Sequence, residues 1–214
     1  MGQRTSETRF PSLMFADGLG TMRGRRYNSR HIGTIMIRGG RRPHRSLCLT
    51  RELILMGKVL QILPADLDDQ RLLALLATHV RAARAETARC SAHALDASGL
   101  SAPNISLWAA WLDGDLAGMG ALKRLSATEG EIKSMYTTDS ARRQGVARGM
   151  LAHIVSTARA EGILRLSLET GSWPYFDPAR ALYVAFGFSE CGPFAEYRED
   201  SNSVFMTLDL AGPR

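Results

Sequence analysis

The stretch Ser140-Ala-Arg-Arg-Gln-Gly-Val-Ala-Arg-Gly149 separates a strand-like apolar segment from an amphipathic, helix-like one. Its three arginines crowd the start of the predicted helix, the end at which the helix dipole disfavours cations. A bound anion would resolve this conflict, because the free backbone N–H groups of a helix start and the arginine side chains would both point at it. Gly145 lets the backbone approach such a ligand closely, and Ala147 keeps the first turn uncluttered. The stretch therefore indicates an anion site, with a solvated arginine-rich loop as the alternative.

The segments on both sides of this stretch define the local fold. Residues 145–161 predict a helix with an apolar stripe, and residues 131–137 predict the strand before it. The larger apolar residues of that strand, Ile132 and Met135, are three positions apart where a regular strand gives two, so we expect a β-bulge. A Walker A loop is excluded because no Gly-Lys-Ser/Thr follows, and a dinucleotide-binding fingerprint fails because only one glycine is correctly placed.

Further out, the sequence predicts a mixed α/β domain. Asp113-Gly114 is a two-residue hairpin signal between two apolar runs, and the acids at Asp66, Asp68 and Asp69 suit the start of an amphipathic helix. Strands are predicted at residues 59–63, 105–112, 116–122, 131–137, 164–170 and 204–210, with helices after Asp66, at 145–161 and at 178–185.

Two motifs in this arrangement resemble the GNAT acetyltransferases. Arg142-x-x-Gly145-x-Ala147 matches the Q/R-x-x-G-x-G/A motif that cradles the coenzyme A pyrophosphate in that family, and it lies between the equivalent strand and helix. The run from Ala179 to Phe188 is similar to the family's A-x-x-L-Y-x-x-x-G-F signature. The resemblance extends over residues 59–210. It implies an α/β fold of the α+β type, with a mixed, mostly antiparallel central sheet, a splayed strand pair and flanking helices.

The resemblance also implies acetyl-CoA as co-substrate, without a metal. Backbone groups of Met135, Tyr136 and Thr137 would pair with the pantetheine amides. The pyrophosphate would be held by Arg142, Arg143, Gln144, Gly145, Val146, Ala147 and Arg148. One position departs from the family, because Phe176 stands where many relatives carry an asparagine. The hydrogen bond attributed to that asparagine must be absent here or supplied by another group.

Acetyl transfer to an amine requires a neutral nucleophile, a stabilised oxyanion and a proton for the departing thiolate. No Ser-His-Asp or reactive-cysteine arrangement occurs, so we expect direct attack by the amine. Tyr183 aligns with the family tyrosine near the coenzyme sulfur and is the expected general acid, with a packing role as the alternative. Glu131 is the expected base and Glu169 its rival. Taken singly, a carboxylate in such a place is more often a surface or structural group.

The acceptor is not readable from the sequence. Several aromatic residues could line an acceptor pocket, although such residues are usually core or lid positions. They are Trp108, Trp111, Trp173, Tyr175, Phe176 and Phe194. Tyr197, Arg198, Glu199 and Asp200 fit the mouth of an acceptor site or a plain loop. Stretches such as Gly130-Glu-Ile-Lys-Ser-Met135 resemble a small bacterial subgroup of undefined substrate. The expected function is N-acetyl transfer to a small-molecule or protein amine. The alternative is a coenzyme-A-binding regulatory module without turnover.

Charge divides the chain into two parts. The formal net charge of the 214 residues is +6, yet residues 1–55 hold 11 arginines and three acids, whereas residues 56–214 hold 16 basic and 18 acidic residues. The basic segment fits a nucleic-acid-binding arm, an organellar presequence, or a segment that adds nothing to the fold. The run Met56-Gly57-Lys58 immediately precedes the first predicted strand, which favours the third interpretation. We therefore expect a basic tail over 1–55, disordered or non-native, and a GNAT domain over 56–214.

Cysteine usage is typical of a reducing compartment. Cys48, Cys90 and Cys191 are odd in number and far apart, with no metal-ligand spacing. No run is long and apolar enough to span a bilayer. We therefore expect a cytoplasmic protein with neither membrane nor nucleic acid as a partner, and a homodimer stays open.

Overall fold

The computed structural model describes residues 51–55, 57–85 and 97–211. The strands are β1 (Arg51–Leu55), β2 (Lys58–Pro64), β3 (Ile105–Leu112), β4 (Asp115–Arg124), β5 (Glu129–Thr137), β6 (Arg165–Gly171), β7 (Ser189–Cys191) and β8 (Ser203–Asp209). The helices are α1 (Gln70–Ala85), α2 (Ala97–Leu100), α3 (Val146–Ala160) and α4 (Asp177–Ala185). None of these helices is long and apolar enough to cross a membrane.

Within the described residues the strands form one sheet in the order β1-β2-β3-β4-β5-β6-β8-β7. Neighbouring strands run antiparallel except for β5 and β6, which are parallel. The β3–β4 turn has left-handed φ angles at Asp113 (52°) and Gly114 (90°), as a two-residue hairpin of type I′ requires. The expected mixed, mostly antiparallel sheet with flanking helices is confirmed.

The two faces of the sheet are covered by different helices. On one face Met150, Leu151 and Ile154 of α3 are fully buried against apolar side chains of the central strands, and α4 contributes to the same cluster. On the other face α1 and α2 bury a second cluster, in which Leu72 and Leu76 are prominent. The Asp69 carboxylate accepts a hydrogen bond from the Arg71 backbone N–H at 2.9 Å. It thereby satisfies a free donor at the start of α1, as the acidic run predicted.

Strand β5 contains the expected bulge. Met119 of β4 pairs with Tyr136, but Ala121 pairs with Lys133, so β5 holds one residue more than β4 across this interval. Ser134 takes up the extra length in the left-handed region, with φ 52°. As a result Ile132 and Met135 both pack on the core beneath α3.

The parallel β5–β6 ladder ends early. It runs from Glu129 opposite Arg165 to Ile132 opposite Leu168, whereas β5 continues to Thr137 and β6 to Gly171. Beyond Ile132 the two strands splay, and the far half of β5 is paired with β4 alone. The fold therefore has a gap near its centre, on the side that leads into α3.

The N-terminal side of the sheet begins earlier than the sequence predicted. Residues 51–55 pair with β2 as an edge strand, upstream of the expected boundary at Met56. Residues 1–50 lie outside the described residues, as do Cys48 and Cys90, so the expected tail and the domain boundary stay predictions.

Candidate functional site

The loop between β5 and α3 presents a helix start without a side-chain cap. After a single turn at Asp139–Ala141 the chain reaches Gly145, the N-cap of α3, whose φ of 84° is left-handed. Arg143 is also left-handed, with φ 61°. Because Gly145 has no side chain to cap the helix, the first-turn N–H groups of α3 are available to an anion.

The side chains of this loop are held by few contacts. Arg142 and Arg143 are exposed, and the Arg142 guanidinium lies 2.8 Å from the Asp139 carboxylate. Gln144 donates through Nε2 to the Ser140 carbonyl at 2.7 Å. It also accepts through Oε1 from Lys58 Nζ at 2.8 Å. No local pattern singles out Lys58, which lies on β2, because only the folded sheet brings it to the loop.

The backbone of β5 turns alternately toward β4 and toward the gap. The Thr138 N–H donates to the Ala117 carbonyl of β4 at 2.9 Å. Since consecutive residues of a strand direct their backbone groups to opposite sides, those of Thr137 and Met135 face the gap and those of Tyr136 face β4. Two of the three residues expected to bind pantetheine are therefore oriented for it.

A close contact fixes β4 against this region. A Cβ added at Gly118 would lie 2.6 Å from the Tyr136 carbonyl oxygen and 3.3 Å from Val146. Only glycine fits such an approach of strand to strand and helix start. Gly118 thus permits β4 to lie close to β5 and to the start of α3.

Glu131 is the centre of a closed cluster of three side chains. Only 2% of it is exposed, and its Oε1 accepts hydrogen bonds from Tyr197 Oη at 2.6 Å and from Lys133 Nζ at 3.0 Å. Lys133 Nζ in turn donates to Tyr197 Oη at 2.7 Å. Lys133 follows Glu131 by two residues, so the period of a strand places both side chains on one face of the sheet. This spacing is the sequence signal for the pair. Tyr197 is 66 residues from Glu131, and no local pattern links them.

Glu169 lies just beyond the last β5–β6 pair, and its Oε1 accepts a hydrogen bond from Ser203 Oγ at 2.7 Å. Burial raises the pKa of Tyr183, and the negative charge of Glu169 raises it further. Burial is likewise the main cause that raises the pKa of Tyr197, followed by the charge of Glu131. Glu169 also contributes to the raised pKa of Tyr197. Glu169 therefore lies near enough to both Tyr183 and Tyr197 for its charge to raise the pKa of each.

A cleft of about 950 Å³ opens beside the Glu131 cluster. Its lining is Asn104, Lys123, Arg124, Leu125, Glu131, Lys133 and the loop from Ala195 to Ser201. Tyr197, Arg198, Glu199 and Asp200 all belong to that loop. The sequence allowed two interpretations of residues 197–200, the mouth of an acceptor site or a plain loop. In the structure these residues form a wall of this cleft.

The aromatic residues do not form one pocket. Trp108 is buried against His153 at a ring distance of 4.9 Å, on the α3 face, whereas Trp111 lies under Arg71 of α1 at 4.6 Å. Trp173 and Tyr175 are exposed. Phe194 packs on Tyr197 at 5.0 Å. Their positions on both faces and in the loops fit the interpretation as core and lid.

Phe176, which stands in place of the family asparagine, packs on the end of β6. A Cβ added at Gly171 would lie 2.3 Å from its ring. This position therefore supplies a flat apolar contact with the backbone of Gly171, and its side chain carries no hydrogen-bonding group.

His79 of α1 packs on Tyr136 of β5, on the face of the sheet that α1 covers. Its ring lies 5.3 Å from the Tyr136 ring of β5. Burial lowers the pKa of His79 to about 4, so the imidazole is neutral at physiological pH.

Comparison with known proteins gives one consistent result. The acetyltransferase (GNAT) family matches residues 72–188. The uncharacterized N-acetyltransferase YsnE of Bacillus subtilis is 48% identical over 145 residues, which are 68% of this chain and 96% of the relative. The uncharacterized N-acetyltransferase YedL of Escherichia coli is 41% identical over 145 residues, 68% of this chain and 91% of the relative.

Solved structures share the fold. A Klebsiella pneumoniae protein assigned as an acyl-CoA N-acyltransferase superposes with a TM-score of 0.60 at 29% identity, over 71% of this chain and 97% of that one. The yncA protein of Salmonella typhimurium, solved with its cofactor acetyl-CoA, has a TM-score of 0.53 at 16% identity, over 72% of this chain and 95% of that one.

Proposed function

This chain belongs to the GNAT family of acetyltransferases, and on that premise we propose which of its residues bind acetyl-CoA and which move protons. It is an enzyme that transfers an acetyl group from acetyl-CoA to an amine. The observation that carries the site assignment is the early end of the β5–β6 ladder at Ile132 and Leu168, directly before the uncapped start of α3.

The residues around the gap fit acetyl-CoA. The first-turn N–H groups of α3, with Arg142 and Arg143, bind the pyrophosphate, and the left-handed Gly145 keeps that approach open. Lys58 supports the loop by its hydrogen bond to Gln144. The backbone groups of Met135 and Thr137 bind the pantetheine arm, since they face the gap and have no partner strand there. Val146, Ala147 and Arg148 contribute backbone N–H donors to the pyrophosphate. The backbone groups of Tyr136 face β4, so we assign the pantetheine contacts to Met135 and Thr137.

The reaction needs one proton removed and one supplied. Acetyl-CoA supplies an activated acetyl thioester. The acceptor amine attacks the thioester carbonyl carbon, so that a C–N bond forms while the C–S bond breaks. Glu131 takes the proton that the amine nitrogen loses, directly or through a water. Tyr183 supplies a proton to the departing sulfur, since a phenol is protonated at neutral pH even at its ordinary pKa of about 10.

Glu131 is the better base candidate on geometric grounds. It lines the cleft, and both of its bonded donors occupy the same oxygen, Oε1. Its Oε2 accepts no hydrogen bond from any residue in the described part of the chain, and we propose that it receives the acceptor nitrogen. Glu169 is engaged by Ser203 and acts on the two tyrosines through its charge.

The acceptor is a small-molecule amine rather than a protein. A cleft of about 950 Å³ has the size of a small-molecule site. The test is a turnover screen in which the purified enzyme and acetyl-CoA are mixed with a library of amines and with amine-bearing peptides, and released coenzyme A is measured. Release with small amines supports the proposal. Release with peptides alone contradicts the acceptor class, and binding of acetyl-CoA with no release above hydrolysis favours the regulatory-module alternative.

A further inference from the structure

We infer that the acceptor carries a carboxylate next to its amino group, as an α-amino acid does. The inference rests on the proposed function of the Glu131 cleft as the acceptor site, and it names the class of amine that this cleft recognises.

Among the described residues, the hydrogen bonds of the Glu131 cluster leave one acceptor atom and one donor without a partner. Glu131 Oε1 takes both donors of the cluster, so Oε2 remains. The Lys133 ammonium has three N–H donors. Two of them go to Glu131 Oε1 at 3.0 Å and Tyr197 Oη at 2.7 Å, and the third has no acceptor among the described residues. A carboxylate oxygen and a cationic donor are thus left side by side.

Both groups face the cleft in a largely dry setting. Glu131 and Lys133 line the cleft, yet their side chains are only 2% and 10% exposed. Hydrogen bonds to charged groups are stronger than those between neutral groups, and a largely dry setting strengthens them further. A ligand that satisfies both groups at once is therefore favoured. The amino and carboxylate groups of an α-amino acid are separated by a single carbon, so one molecule can place its N–H on Glu131 Oε2 and its carboxylate on Lys133.

The charge of the whole lining agrees with a zwitterion. Four basic residues, Lys123, Arg124, Lys133 and Arg198, are balanced by four carboxylates. A site for a polyamine or a lysine-rich peptide would instead concentrate negative charge. In this arrangement the acceptor nitrogen lies at Glu131, the group proposed to take its proton, and Lys133 acts as a specificity residue.

The test compares amino acids with the amines obtained by removing their carboxylate. The kcat/KM of the wild-type enzyme with acetyl-CoA is measured for the twenty common amino acids and for matched pairs, such as leucine with isopentylamine and phenylalanine with 2-phenylethylamine. Spermidine serves as the polycation. We expect at least one amino acid to exceed its matched amine by about tenfold or more, the effect of losing one hydrogen bond to a charged group. Equal or higher values for the matched amines, or a preference for spermidine, overturn the inference.

A binding measurement separates this inference from the proposed function. The same amino acids and amines are titrated by calorimetry into wild-type protein saturated with coenzyme A. Tighter binding of an amino acid than of its matched amine, without any turnover, supports the ligand class and contradicts the catalytic proposal. Turnover of amines with no gain from the carboxylate contradicts the inference alone.

A matched pair of variants assigns the effect to Lys133. Lys133→Met should remove the preference for the amino acid over its matched amine, whereas Lys123→Met, at the same cleft but outside the cluster, should keep it. Retention of the preference in a folded Lys133→Met protein contradicts the role of Lys133. If that variant does not fold, the wild-type comparison above decides the inference.

Discussion

Gly145 and Gly162 mark the two ends of α3 with almost the same backbone angle, φ 84° and 81°. Any other residue at either position is strained. We expect Gly145→Glu to weaken acetyl-CoA binding by at least tenfold, because the new carboxylate would lie against the pyrophosphate. Gly162→Glu is the matched control, with the same strain and charge at the far end of the helix. Calorimetric titration checks both variants, and equal affinities in the two would remove the loop from the coenzyme site.

Tyr183 tests the general acid. Tyr183→Phe keeps the ring that packs on Phe188 at 5.8 Å and removes only the hydroxyl, so the fold should survive. Turnover should fall by about 100-fold, the usual scale for general acid–base catalysis, while acetyl-CoA affinity should change far less. Steady-state kinetics and calorimetry measure the two effects. A fully active variant assigns Tyr183 to packing and leaves the thiolate to be protonated by water.

The two carboxylates are separated by a parallel experiment. Glu131→Gln should lower turnover, with partial recovery at high pH, where more of the acceptor amine is neutral. Glu169→Gln should lower it less. Because Glu131 also holds the buried Lys133, thermal melting must accompany the pH profile, since an unpaired buried cation is destabilising. Loss of activity in Glu169→Gln alone would move the base to β6.

At the scale of elements, the contact between α1 and β5 makes stability depend on pH. The pKa of His79 is lowered to about 4 in the folded protein against about 6.5 in an unfolded chain. Between these values the unfolded state binds the extra proton, so the free energy of unfolding falls as the pH is lowered from 6.5 to 4. The loss contributed by His79 is about 3 kcal/mol. His79→Phe keeps a ring against Tyr136 and should flatten the difference, as measured by urea unfolding at pH 7.0 and 4.5. An unchanged slope in the variant would show that other groups cause the dependence.

Element order and the bulge were readable from local spacing. Asp113-Gly114 predicted its hairpin because both residues tolerate left-handed φ, and the interval between Ile132 and Met135 located the extra residue of β5. The short strands β1 and β7 were missed, because residues 51–55 directly follow the aperiodic basic segment and the three residues of β7 are too few for a periodic pattern. The partners of Glu131 could be found only in part. Lys133 is implied by the two-residue period, whereas Tyr197 reaches Glu131 through a loop whose path no local preference specifies.

At the scale of the whole molecule, the domain boundary can be tested by shortening the chain. A chain that starts at Met56 loses the basic tail and β1, which pairs only with β2 at the edge of the sheet. Among the side chains that the structure describes, both buried clusters begin at or after Leu60, and we expect this chain to fold and keep its activity. A chain that starts at Arg51 keeps β1 and is the control. If only the longer chain is soluble, or if it melts well above the shorter one, β1 belongs to the folding unit.

The early end of the β5–β6 ladder gives this sheet an internal edge, in addition to its two outer ones. A ligand lying along that edge acts as an inserted strand, a form of β-augmentation, and mass action then makes it a contributor to folding stability. Amide hydrogen exchange at Met135 and Thr137 should slow when acetyl-CoA saturates the protein. Exchange at Thr138, whose N–H is already bonded to Ala117, should stay constant, and uniform slowing at all three would indicate general rigidification instead. The cellular concentration of acetyl-CoA would then determine the fraction of the protein in which the gap between β5 and β6 is filled, and with it the stability of the sheet.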